Sequence, residues 1–191
     1  MKMEALCRRI DELLACQPQV LVAIDGDCGS GKTTLAEDMQ ARYDCNILPM
    51  DHFFLRPEQR MPSRLAEPGG NVDYERFLAE VLIPLQGGEP FDYQPFDCRT
   101  GQMGEAVSVP VRPLNVMEGS YSLHPTLSAA YHVKVFLTID PAEQLRRLAL
   151  RDGGRLLERF QEEWIPMEKR YFEQFDIAGQ CDFVFSCVCV F

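Results

Sequence analysis

Residues 24–34 read IDGDCGSGKTT, and this stretch decides the fold. Gly26, Gly31, Lys32 and Thr33 fit the pattern G-x-x-x-x-G-K-[ST], with Asp27, Cys28, Gly29 and Ser30 between them and Thr34 directly after. Each residue type answers a physical need. Glycines let the backbone wrap closely, so that its N–H groups face phosphate oxygens. A helix starting near Lys32 adds its positive end. Lys32 has the reach for the β- and γ-phosphates of a nucleoside triphosphate, and the Thr33 hydroxyl is a ligand for Mg²⁺. ATP and Mg²⁺ are the expected ligands. The setting agrees with the motif, because the apolar run QVLVAID (19–25) before it reads as a buried strand and residues 31–43 read as a helix.

Working outward, NILPMD (46–51), PLNVMEG (113–119) and VKVFLTID (133–140) read as further strands, and DFVFSCVCV (182–190) as a last one. Residues 73–86 carry Phe77, Leu78, Val81, Leu82 and Leu85 at helical spacing. Residues 141–151 open with proline at a helix start, and residues 155–176 read as a helix bent or broken near Pro166. The N-terminal stretch is amphipathic, with Leu6, Ile10, Leu13 and Leu14 on one face. Strands separated by helices predict a P-loop NTPase-type α/β fold, a doubly wound and mostly parallel sheet flanked by helices in a single domain over 1–191. The exception is 87–112, where two alternating stretches flank a turn-rich piece. It reads as a β-hairpin, either inserted over the ligand edge of the sheet or lying plainly on the surface.

The chain has 191 residues and a net charge of -10, with 46% hydrophobic residues. An acidic balance argues against nucleic acid as a main partner, since a phosphate backbone calls for a basic face. No apolar run approaches the ~20 residues that span a bilayer, and no membrane partner is expected. The N-terminus lacks the continuous apolar core of a signal peptide. The eight cysteines are irregularly spaced. They read as buried reduced thiols of a cytoplasmic protein, the Cys187-x-Cys189 pair included. The oligomeric state is open, a homo-oligomer among the options.

A phosphate-binding loop does not name a reaction. An Asn-Lys-x-Asp guanine reader is absent, as is a Leu-Ser-Gly-Gly transporter signature. Asp51, in LPMDHFF, falls at the carboxyl end of the second strand, where open α/β sheets bind ligands. It reads as the carboxylate that orients an acceptor alcohol and takes its proton, or as a helix cap. Glu118 ends the buried strand LNVME and reads as a metal-side acid, or as a cap on the next turn. Arg147 and Arg151 lie four apart on one helix face before Gly153-Gly154. They read as cations for charge developing in transfer, or as a solvated helix end.

GDCGSGKTT, MDHFF, NVDYERF, NVMEGSYSLHP, VKVFLTIDPAEQLRRLALRD and YFEQF stand in the order seen in the uridine kinase and phosphoribulokinase superfamily. The chain resembles that family from about Val20 to Phe185. The resemblance implies an ATP-dependent kinase acting on a hydroxyl of a small, nucleoside-like acceptor. It implies Asp51 as catalytic base, Asp73 as a ligand of ribose hydroxyls, Glu118 near the metal, and Arg147, Arg151 and Arg155 in a lid over 146–160. Asp73 also reads as the N-cap of the helix that follows, with Arg76 unhelpful at the capping-box position. The base-reading hairpin departs from the family pattern. Tyr93 and Arg99 are set as its readers, but the expected histidine is missing and Cys98 stands nearby. His52 reads as an acceptor contact or as an exposed side chain. The acceptor is therefore a nucleoside, another ribosylated compound or a polyol. The alternatives are a nucleoside monophosphate kinase and a nucleotide-binding module without activity.

Overall fold

The structure, a computed structural model, describes residues 2–151 and 153–187. Its centre is a five-stranded sheet made of β1 (Val20–Gly26), β2 (Cys45–Pro49), β7 (Leu114–Glu118), β8 (Val133–Thr138) and β9 (Phe183–Ser186), in the order β2-β7-β1-β8-β9. Every neighbouring pair is parallel. The expected α/β sheet is therefore present, and the register brings Gly26, Pro49, Glu118 and Thr138 to one rim. In particular, Pro49 and Ile24 both pair with Glu118.

β1 is buried along its whole length because it serves two cores. Val20, Val22 and Ile24 pack with Leu6 and Ile10 of α1 (Lys2–Leu14) and with Leu35 and Met39 of α2 (Lys32–Arg42). Leu21 and Ala23 point the other way, to Phe53, Phe77, Tyr121 and Tyr171. The period of two thus supplies both layers of a doubly wound fold.

Two helices depart from the expected shape in the same manner. The helix expected at 73–86 is α4 (Tyr74–Phe77), a π turn (Leu78–Leu82) and α5 (Ile83–Gly87). The one expected at 155–176 is α8 (Leu157–Arg159), a π turn (Phe160–Trp164) and α9 (Ile165–Phe175). In each case a proline, Pro84 or Pro166, stands at the second residue after the wide turn. Proline cannot donate to the ladder and its ring crowds the carbonyl four residues back, so the ladder widens there instead of ending.

Two short helices, α3 (Pro62–Ala66) and α6 (Pro125–Ser128), and the longer α7 (Pro141–Arg151) stand beside these elements. The segment 87–112 forms two small antiparallel ladders rather than one continuous hairpin. β3 (Phe91–Tyr93) pairs with β6 (Val107–Val109), and β4 (Phe96–Asp97) with β5 (Gln102–Met103) nested at its tip. Pro95 has no N–H to carry a ladder through the break, but its carbonyl accepts from Gly104 N at 2.7 Å. The strand expected at 46–51 ends at Pro49, and Asp51 lies in a 3₁₀ turn, Met50–Phe53. The final strand is described as far as Ser186, and Cys189 lies outside the described residues. Among the described residues the cysteines are free thiols, and no helix is long and apolar enough to cross a membrane.

Candidate active site

The loop after β1 is shaped by contacts that demand glycine. Gly26 has φ 135°, and a Cβ there would meet Leu137 O at 2.0 Å. Its close approach lets the loop turn directly off β1. Lys32 opens α2, and its ammonium arches back to donate to Gly26 O at 2.7 Å and Asp27 O at 2.9 Å. The Asp27 carboxylate accepts from Thr138 Oγ1 and Ile139 N, both at 3.1 Å, and ties the loop to β8. Cys28 is buried and hydrogen-bonded to Gln144 and Glu168. Thr34 is exposed on the first turn of α2.

Glu118, 6% exposed at the end of β7, accepts from Thr33 Oγ1 at 3.2 and 3.3 Å, one contact to each carboxylate oxygen. Burial, and then the charge of Asp51, push its carboxyl above the usual range, while Lys32 and Thr33 pull it down. Asp51 itself is exposed. The approach of its turn is permitted by Gly119, where φ is 133° and a Cβ would stand 2.9 Å from Met50 Cβ. Glu118 thus holds Thr33 on one side, while the turn that carries Asp51 follows Pro49, its partner across the sheet, and brings the Asp51 charge to bear on it.

Asp73 lies farther along the same side. Its Oδ1 caps α4 by accepting from Arg76 N at 3.0 Å, so the cap reading holds. Its Oδ2 accepts from Gln59 Nε2 at 2.6 Å. Leu55, Gln59, Arg64, Asp73 and Glu75 line an open cleft of about 350 Å³. Arg76 is a builder of this region. It donates to His52 O and to Gln94 O, each at 2.7 Å, and lies 4.3 Å over the Phe53 ring. It thus joins the Asp51 turn, α4 and the hairpin.

The hairpin readers are not brought together. Tyr93 is 3% exposed, stacked on Phe53 at 5.3 Å, and shares a 2.9 Å hydrogen bond with His52 Nδ1. Its hydroxyl is pushed up to about 12 by burial. His52 is half-buried, and that burial lowers its pKa. The side chain of Arg99 is 93% exposed and turns back to Asp97 at 3.4 Å. The structure does not bring Tyr93 and Arg99 together: one packs on Phe53, the other stands in solvent. Arg147 does reach the phosphate loop, donating to Gly29 O at 3.3 Å while Glu143 holds its Nε at 2.8 Å. Arg151 is exposed one turn on, and Arg155 is exposed in the turn before α8.

No protein-family model and no curated protein matches this chain. Solved structures do. A candidate fructose transport system kinase from Silicibacter sp. TM1040 is 26% identical, over 97% of this chain and 99% of that one, with a TM-score of 0.75. A possible uridine kinase from Bacillus stearothermophilus is 19% identical, over 95% and 99%, with a TM-score of 0.67. Phosphoribulokinase from Rhodobacter spheroides is 13% identical, over 88% and 70%, with a TM-score of 0.56. The fold is that of the uridine kinase and phosphoribulokinase superfamily of P-loop kinases.

A P-loop kinase must cradle a polyphosphate and a divalent ion, and the residues here fit both. Ser30 Oγ is buried without a hydrogen-bond partner among the described residues, an orphan that a phosphate oxygen satisfies. Beside it, the space next to Gly31 is open to 4 Å. Thr33 and Glu118 supply the hard oxygen donors that Mg²⁺ takes. Sequence reasoning missed Gln59, Gln144 and Glu168 as neighbours of this site. Gln59 sits in a turn of no motif, and Glu168 meets Cys28 across 140 residues of chain. Arg76 is legible in NVDYERF, but only as a poor capping-box residue.

Proposed function

We propose that the protein is an ATP- and Mg²⁺-dependent kinase that transfers a phosphoryl group to a hydroxyl of a small polyhydroxylated acceptor. The observation that carries this reading is the contact of Glu118 with Thr33 of the phosphate loop and with the charge of the exposed Asp51 carboxylate. Lys32 and the loop amides would hold the polyphosphate, and Thr33 and Glu118 the metal. Bound there, Mg²⁺ screens the charge of the transferring group. Asp51 orients the acceptor hydroxyl and takes its proton. Arg147, already at the loop, offers positive charge on the far side.

The acceptor is read chiefly through its hydroxyls. Asp73 faces the neighbouring cleft with an oxygen that Gln59 already engages, and a buried carboxylate built for such bonds rejects an analogue lacking them. Sugars and other polyols stand ahead of nucleosides as acceptors, because Tyr93 and Arg99 do not form a shared base-reading surface. The fructose-related name of the 26% identical structure supports the same ordering. ATP consumption on a panel of sugars, polyols, nucleosides and nucleoside monophosphates tests the reading. Turnover with a hydroxylated acceptor that depends on Asp51 supports it. Turnover confined to monophosphates overturns it, and so does ATP binding without turnover on any acceptor.

A further inference from the structure

The chemistry above leaves the buried carboxylate of Glu168 without a task. Glu168, in α9, is 5% exposed and touches the phosphate loop directly. Its Oε2 accepts from Cys28 N at 3.0 Å, and its Oε1 accepts from Ser120 Oγ at 2.6 Å, in the loop that follows Glu118. The same residue of the phosphate loop is gripped from another side. Cys28 O accepts from Gln144 Nε2 at 2.9 Å, and that amide also lies 3.3 Å from Cys28 Sγ. Gln144, 4% exposed, belongs to α7, which reaches Gly29 O again through Arg147.

α7 and α9 are the two roots of the segment 146–160 that bears the arginines. Both roots therefore hold one residue of the loop, its N–H from α9 and its C=O from α7. Burying a carboxylate is costly unless its oxygens are occupied. Here each has a donor, and Lys32 lies close enough to offset the charge. A loop whose amides must converge on phosphate oxygens works best when it needs no reorganisation on binding.

We propose that Glu168 and Gln144 are positioning residues that clamp Cys28 and couple the shape of the phosphate loop to the arginine-bearing segment 146–160, which runs from within α7 toward α9. The proposal rests on the reading that the loop binds a nucleoside triphosphate.

Calorimetric titration of ATP·Mg into wild type, Glu168→Gln, Glu168→Ala, Gln144→Ala and the double alanine variant tests it, with melting temperatures measured alongside. Each single alanine variant should weaken ATP binding on the order of tenfold, from the loss of its buried hydrogen bond to the Cys28 backbone. Glu168→Gln keeps an acceptor for Cys28 N and should lose less. Because both side chains hold the same residue, the double variant should weaken binding by clearly less than the product of the two single effects. A purely structural role lowers the melting temperature and leaves ATP affinity within about twofold of wild type, which overturns the proposal. Independent, fully multiplicative effects overturn it as well. If Glu168→Ala does not fold, Glu168→Gln and Gln144→Ala decide by the same affinities. Wild type that binds no ATP overturns the nucleotide reading itself, a result distinct from variants that bind as wild type does.

Discussion

Asp51 and Glu118 are two carboxylates whose charges act on each other, and they differ in burial. Glu118 is buried beside Thr33, whereas Asp51 is open to whatever enters. Asp51→Asn should therefore lower kcat by on the order of 10² to 10⁴, the range of general acid–base catalysis, with ATP affinity little changed. Steady-state kinetics with a calorimetric Kd separates the two, and a collapse of ATP binding would assign Asp51 to the nucleotide. Lys32→Ala removes the ammonium that crosses the loop, and should reduce kcat/KM by far more than one tenfold step, about 1.4 kcal/mol. Asp25 makes a different prediction. It is fully buried, accepts from Gly26 N, Tyr121 N, Leu123 N and Tyr171 Oη, and is pushed up to about 6 by burial. An exposed aspartate titrates at 3.8, so ionisation costs the folded state more than the unfolded one. This group's contribution is fully present below about pH 4 and is lost as pH rises through about 6, amounting to about 3 kcal/mol. Asp25→Asn should be less stable than wild type, with a gap that narrows over that window. Chemical denaturation at its two ends measures this, and a gap independent of pH would refute it.

At the scale of elements, the hairpin is a wall pinned by one side chain. Replacing Arg76 by methionine leaves His52 O and Gln94 O without their donor. It should cost on the order of 3 kcal/mol and raise the acceptor KM more than the ATP KM. Denaturation and a two-substrate kinetic grid read both effects, and an unaltered KM ratio would detach the hairpin from the acceptor. The sheet strands were legible because a strand buried on both faces must be apolar throughout, and the loop because phosphate binding admits few residue types. Asp51 was placed at a strand end and is found two residues beyond β2, since Pro49 closes the ladder and Met50–Phe53 turns. The packing of Tyr93 left no sign, because an aromatic in a hairpin looks the same from sequence whether its ring stacks on a ligand or on Phe53. The bend expected at Pro166 is a π turn, since proline forbids one hydrogen bond without dictating what replaces it. Gln59, Gln144 and Glu168 left no trace, because partners distant in sequence obey no period.

Across the whole molecule, the proposed nucleotide binding would be linked to stability. ATP·Mg at about 100 times its Kd should add ~2.7 kcal/mol and raise the melting temperature by about 5–10 °C for a domain of this size. Lys32→Ala should abolish that rise, and a rise that persists in the variant would place the ligand elsewhere. The sheet order carries a further consequence, for synthesis. β1 lies at the centre, between a strand that begins at Leu114 and one that begins at Val133. At ribosomal speeds of roughly 5–20 residues per second, VLVAIDG leaves the ribosome on the order of ten seconds before either neighbour exists. For that interval the seven residues that later anchor the phosphate loop form an unpaired, nearly uncharged strand, the kind of segment that seeks a partner in another chain. Nascent chains of this protein thus need shelter early, and slowing translation beyond residue 26 should increase their aggregation.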